Sequence, residues 1–445
     1  FTSKLGTNYC PTDDEVVEIR DLLVEPTLRL KHLDDEITKL QRAIDKLAAE
    51  RDAVAIFVDA HNALISPARR LPLDIIQEIF IACLLTHRNC VMSASEAPVL
   101  LGRLCSSWRV ISLSTPRLWA TLHVCEPSSS AIPLSELNKR YEQRLETTKA
   151  WLVRSGDCPL SISLQSAHNF GEGNISWGSF FRAIIPFASR WRKIGLMNLA
   201  PILVEALSHL TEDDVPILQS FTFTSDGVLY GEPQCWSSVQ ILHGRRLSNI
   251  SISGTISPAT ALRLRWAELT SLALHDPSPH PLDPFTGDSV LKLLSHCPAL
   301  QTRLSVVEWR PSSPVVTSVV ECPCLTSLHL VCSGDPAAIL HQIFKFLLVP
   351  QLRHFEFEGQ ATLDLNSDSD FSSFHAGLKE LESLSIHSSV LYRPAFFSLL
   401  RGLPPTMRRL EITVSWDFTV SNDVLTLLAP IDMISPLCPE LVIKQ

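Results

Sequence analysis

A short pattern, L-x-x-L-x-L, returns nine times in this chain, and no other feature limits its fold as much. The fullest copies are LSNISI from Leu247, LTSLAL from Leu269, LTSLHL from Leu325, LRHFEF from Leu352 and LESLSI from Leu381. Looser copies start at Trp191, Leu218 and Met407, and LQTRLSV from Leu300 holds one extra residue, as a bulge would accommodate. The nine anchors span 216 residues at a mean step of 27, with single steps between 22 and 31. Each copy predicts a short strand whose alternate apolar residues face one way. A lone strand cannot bury that face and stacked neighbours can, so the pattern predicts an irregular α/β solenoid over residues 159–445. Ala337–Val349, with Ile339, Leu340, Ile343, Phe344, Leu347 and Leu348, has the helical spacing expected of the outer layer. Such helical spacers weigh against the other reading, unrelated strands of a β-sandwich. A charge at Leu272, Leu328 or Leu384 is expected to undo the stack locally.

Upstream, Leu71–Phe80 (LPLDIIQEIF) opens a helical module over residues 66–122. Pro72 suits a first helical turn, where its missing N–H costs nothing, and Asp74 follows where the helix dipole favours an anion. Leu71, Ile75, Ile76, Ile79, Phe80, Cys83 and Leu84 recur at helical spacing but cover too wide an arc for one small core. A second pattern carries Leu100, Leu101, Leu104, Cys105, Trp108 and Ile111, and a third begins at Thr115-Pro116 with Leu118 and Trp119. Apolar residues in surplus of a core predict a partner. An ordinary helical core with none is the plain alternative.

These residues resemble an F-box, the three-helix module that docks on the Skp-type adaptor of cullin–RING ubiquitin ligases. The matching positions are Leu71-Pro72, Asp74, Ile75, Ile76 and Ile79, the L-C-x-x-W segment Leu104–Trp108, and Leu118-Trp119. SPARRLPLDIIQEIF and WRVISLSTPRLWATL are similar above all to F-box proteins of mushroom-forming fungi. The polar insertion Thr86–Pro98 departs from that pattern. The repeat spacing falls within that of leucine-rich repeats. The CP or VP pairs ahead of several copies resemble the leucine-rich regions of F-box proteins, although the asparagine usual after the strand is mostly missing. The resemblance implies a non-catalytic substrate receptor, in the cytoplasm or nucleus, that binds the adaptor through Leu71, Pro72, Asp74, Ile75, Ile76, Ile79, Leu104, Trp108 and Trp119. A scaffold without ligase activity is the alternative, and a solenoid enzyme a more distant one.

Ahead of the module, Leu30, Leu33, Ile37, Leu40, Ile44 and Leu47 alternate spacings of three and four, the a/d seam of a coiled coil. Pro26 and Pro67 predict a helix of about 38 residues within an N-terminal segment 1–65. With Leu30 at a, the e positions are Asp34, Gln41 and Ala48, and the g positions are Glu36, Ala43 and Glu50. Those six supply no opposite charges across parallel strands, and Arg51 takes the next a position. This favours packing within the chain or a weak homodimer.

Composition narrows the rest. With 445 residues, 45% hydrophobic and 19% charged, the chain suits two or three packed units rather than disorder. The net charge is −9 without a basic stripe, which weighs against nucleic acid and anionic membranes, and no apolar run has bilayer length. The chain begins with Phe1, as a piece of a longer protein would. Twelve scattered cysteines, including Cys83, Cys105, Cys297 and Cys332 in apolar segments, suit buried thiols, and Cys322-Pro-Cys324 lacks a second pair at zinc spacing. No Walker loop, G-x-G-x-x-G, H-E-x-x-H or G-x-S-x-G motif occurs, so neither cofactor nor metal is expected. A linker and connecting helix over 123–158, helical from about Leu134 to Arg154, joins the module to the repeats. The outward strand residues of the later repeats, His329, His354, Glu356, Glu358, His387, Arg409 and Glu411, form a candidate patch for a protein substrate. A merely solvated wall is the other reading.

Overall fold

The computed structural model describes residues 1–127, 133–166, 177–198, 202–224, 236–253, 262–275, 287–301, 303–309, 319–334, 343–361, 378–387, 402–413 and 440–444. The chain divides into two compact units, Phe1–Ile76 and Gln77–Gln445.

The first unit is dominated by one helix, α1 (Asp13–Ile65), 53 residues long and so about 80 Å at 1.5 Å per residue. It starts well before the expected Pro26 because Thr12 and Glu15 form a capping box, with the Thr12 N–H donating to the Glu15 carboxylate at 2.9 Å. Tyr9 Oη (2.8 Å) and Lys4 Nζ (3.1 Å) also donate to Glu15, and these three donors hold its carboxyl down at about 2. Pro26 sits inside the helix, where it removes the N–H that the Leu22 carbonyl would accept and sets its ring against that carbonyl, a cost that the rest of the helix carries. The stop at Ile65 is as expected, since the residue before Pro67 is steered out of the helical region. No residue of α1 is buried, and its seam lies open from Leu33 at 42% exposed to Leu40 at 64%.

The second unit is mixed α/β around a twelve-stranded, all-parallel sheet. In order it runs β1 (Thr121–Cys125), β2 (Leu160–Gln165), β3 (Trp191–Met197), β4 (Ser220–Thr224), β5 (Asn249–Ser253), β6 (Ser271–His275), β7 (Arg303–Trp309), β9 (Ser327–Gly334), β11 (His354–Ala361), β12 (Ser383–His387), β13 (Arg409–Thr413) and β14 (Glu440–Lys444). Two short strands, β8 (Val320–Glu321) and β10 (Leu347–Leu348), pair apart from it. All nine expected anchors lead into strands of this sheet. The extra residue expected after Leu300 is there, since Leu304 pairs with Leu272 although it lies four residues past its anchor rather than three, and a separate register shift follows between Val307 and Trp309.

The pattern works in two steps. The leading leucine, as at Leu247, Leu269, Leu325, Leu352 and Leu381, is buried just ahead of its strand. Alternate strand residues then bury beside it, for example Ile250 with Ile252 and Phe355 with Phe357. Each such side chain contributes on the order of 1.5–3 kcal/mol. Between these two steps the backbone ties one repeat to the last. The Ser248 and Asn249 N–H groups both donate to the Gln219 carbonyl at 3.0 Å. Arg353 and His354 do the same to Thr326, Glu382 and Ser383 to Arg353, and Arg408 and Arg409 to Glu382.

Three expectations change. Leu347–Leu348, expected in an outer helix, are strand β10, because the Leu348 carbonyl accepts the Cys322 N–H at 2.9 Å beside β8. Ile339 and Leu340 of that helix lie outside the described residues. The second helical pattern of the module breaks at extended Cys105 into α3 (Leu101–Leu104) and α4 (Ser106–Leu113), and the Cys105 Sγ caps α4 by accepting the Trp108 N–H at 3.4 Å. Cys83 and Cys105 are exposed, whereas Cys297 and Cys322 are buried. The helix expected from Leu134 is α5 (Leu134–Arg154).

Candidate interaction surfaces

The module sorts its apolar residues by helical side. The helix α2 (Leu73–Ala82) buries Phe80, whose ring lies 4.8 Å from that of Trp108. Below them Leu118 and Trp119 are buried, with Trp119 edge-on to Trp151 at 4.7 Å and its Nε1–H donating to the Ser112 carbonyl at 2.8 Å. Polar ties close the packing, from Gln77 Nε2 to Thr115 Oγ1 at 3.2 Å and from Arg117 to Glu78 at 2.6 Å.

Of the residues expected to meet an adaptor, Leu71, Pro72, Asp74, Ile75, Ile79 and Leu104 are exposed, and Ile76 and Trp108 are half-buried. Trp119 belongs to the core. Leu73, Val110 and Leu113 are exposed too, Val110 at 67%, and the sequence pattern did not single them out. Helical spacing gave a usable signal only for Val110, about 200° around α4 from buried Ser112, since Leu73 lies seven residues from buried Phe80 and so shares its side of α2.

The insertion Thr86–Pro98 has a structural job. The His123 N–H donates to the Cys90 carbonyl at 2.7 Å, and Val91 bridges to His123 in parallel, so this loop covers the outer edge of β1. The same loop walls a cleft of about 610 Å³ over the half-exposed face of β1 to β4. Arg88, Arg192 and Lys193 line it together with Ser161 and Ser163, and its lining includes no carboxylate. Arg88 reaches Glu96 at 2.7 Å, which takes part of its charge. His123, also in the lining, bonds to Ser163 Oγ through Nδ1 at 2.8 Å, and burial lowers its pKa, with Arg88 acting in the same direction. The imidazole is therefore neutral at neutral pH, and the positive charge comes from the two arginines and the lysine.

Farther along the same sheet the expected patch assembles in part. Strand register sets His329 beside Glu356, then Glu356 beside Ser385 and Ser385 beside Glu411. His329 Nε2 lies 3.9 Å from Glu358 Oε1, and Arg409 reaches Glu411 at 3.0 Å. His354 lies one row away beside Ser327 and Ser383, and His387 closes β12. One ligand atom from each of His329, Glu356 and Glu358 falls within 4.8 Å of the others, a spacing that one divalent cation could bridge. Sequence spacing hid this trio because β9 and β11 come together only through pairing.

Among the described residues no helix is long and apolar enough to cross a membrane. The described cysteines are free thiols, and burial pushes Cys297 up to about 12 and Cys322 to about 11. Comparison of the chain with known protein-family models finds no match. Comparison with curated proteins also finds none.

Proposed function

We propose that this chain is the substrate receptor of a Skp–cullin–F-box type ubiquitin ligase, with a leucine-rich-repeat solenoid as its recognition part. One observation carries the reading. At the positions that resemble an F-box, Phe80, Leu118 and Trp119 fill a core, while Leu71, Ile75, Ile79 and Leu104 stay exposed. Apolar side chains left over after folding suit an adaptor that buries them. The receptor performs no bond chemistry; it raises the local concentration of a substrate beside the charged conjugating enzyme, in the cytoplasm or nucleus.

Two parts of the sheet face suit the substrate. The cleft beside Arg88, Arg192 and Lys193 fits an acidic segment, and the Glu356, Glu358 and Glu411 region fits a basic one. The unbroken parallel pairing from β1 to β14, one strand per repeat, supports the solenoid.

A pull-down with a Skp-type adaptor tests the reading. Replacing both Leu71 and Pro72 by alanine should cost about 2 kcal/mol or more, roughly thirty-fold in affinity. Full binding by that variant, or no binding by the native chain, rejects the adaptor assignment.

A further inference from the structure

The long helix of the first unit has a partner written into its register. We infer that α1 pairs with α1 of a second copy as a parallel, in-register, two-stranded coiled coil. The inference stands apart from the adaptor reading and survives its failure.

Continuous helix from Asp13 to Ile65 lets one heptad frame run throughout, with Leu30 at a. Val16, Ile19 and Leu23 precede the six seam residues in that frame, and Val54, Val58 and Ile65 follow them. Only Pro26, Arg51 and His61 interrupt the apolar a/d positions. Within the unbroken run Ile37 and Ile44 take a while Leu33, Leu40 and Leu47 take d. Isoleucine at a with leucine at d favours two parallel strands. The whole run is exposed, so the apolar stripe is available to a partner.

Charge then chooses the register. Arg29 is the g residue just before Leu30, and Arg20 holds an earlier e position. In a parallel pair each g residue faces the e residue five places on in the other copy. Arg29 therefore meets Asp34, and Glu15 meets Arg20, each pair occurring twice by symmetry. The remaining g–e′ pairs, such as Glu36 with Gln41 and Glu50 with Ala55, contain no like charges. This overturns the expectation that parallel pairing finds no opposite charges. Arg51 at a lies beside Glu50 at g of the other copy. A fully overlapped antiparallel pair offers only Arg29 with Glu50, and it sets Arg51 against Pro26, so two defects share a layer.

Sedimentation of the full chain over a concentration series, with charge variants, tests this. The native chain should sediment as a dimer, and Arg29→Glu should weaken the dimer by about tenfold through lost attraction and new repulsion. Adding Asp34→Arg to that variant should restore the affinity to within about twofold, since the pair is re-formed with its signs exchanged. In a Cys10→Ser background, Leu30→Cys should link to itself under oxidation well above the level that this background alone gives through exposed Cys83, Cys105 and Cys125, because in-register strands bring the two positions 30 together. Unchanged tryptophan fluorescence in all variants excludes a defect in the second unit, where every tryptophan lies, and unchanged ellipticity at 222 nm excludes a broken α1. A chain that stays monomeric at about 100 μM overturns the inference outright. Dimers that Asp34→Arg fails to rescue, and that do not link through Leu30→Cys, overturn the parallel register.

Discussion

The sheet and the long helix solve the same problem in opposite ways. Both carry leucines at a regular period, yet Leu272, Leu328 and Leu384 are buried while Leu33, Leu40 and Leu47 are exposed. The sheet residues find cover because each strand has a neighbour from its own chain, tied by pairs of N–H groups on one carbonyl. The helix has no such neighbour within its own unit, and its stability there rests on local terms, a capping box and favourable intrahelical spacing. Periodicity alone thus tells that a face must be covered. It does not tell who covers it.

That contrast predicts unequal costs for equal truncations. Phe355→Ala should destabilise the sheet unit by about 3–5 kcal/mol, through lost burial and a cavity beside Phe344 and Phe357. The urea midpoint followed by tryptophan fluorescence reads this directly. Leu40→Ala, a truncation of similar kind, should change the stability read from the same transition by less than about 0.5 kcal/mol while reducing self-association. Equal shifts for the two would break the comparison, because α1 would then be part of the cooperative core.

Much of the sheet was legible because its rule is local. An anchor leucine, two polar residues and an alternating strand appear within six residues, and each copy repeats the demand. The strands β1 and β2 lack that anchor and were missed, although LSISL alternates plainly from Leu160. The start of α1 was hidden by Pro26, whose breaking tendency is overruled by the Thr12–Glu15 box upstream. Cys105 looked like one more apolar position and is instead the break between α3 and α4. The surfaces were least legible. Arg88 and Arg192 share a cleft, and His329 and Glu356 share a row, only because of strand pairing, which no window of sequence displays.

Thiol chemistry sharpens the contrast at smaller amplitude. Cys297 and Cys322, held near 12 and 11 by burial in the sheet unit, remain protonated and shielded at pH 8. Exposed Cys10 and Cys83 should be alkylated first, with Cys297 and Cys322 modified at least tenfold more slowly until urea opens the fold. Peptide mapping over a time course measures this. Early modification of Cys297 would show that the repeats breathe open in that region.

The smallest effect belongs to the first turn of α1. Glu15 is held at about 2, below its ordinary value of 4.5, by the donors from Thr12, Tyr9 and Lys4. A lowered carboxylate contributes stability that is complete above its unfolded pKa and is lost as pH falls through the folded one. Helix signal from the first turn should therefore fade between pH 4.5 and about 2. Glu15→Gln keeps an acceptor for Thr12 but removes the charge, so the difference in ellipticity at 222 nm between native and variant chains should shrink over that interval. Because Glu15 also faces Arg20 of the second copy in the inferred pair, both chains are compared at a concentration low enough to keep them monomeric. A difference that stays flat from pH 5 to 2 would mean that the hydrogen bonds of the box, rather than its charge, start the helix at Asp13.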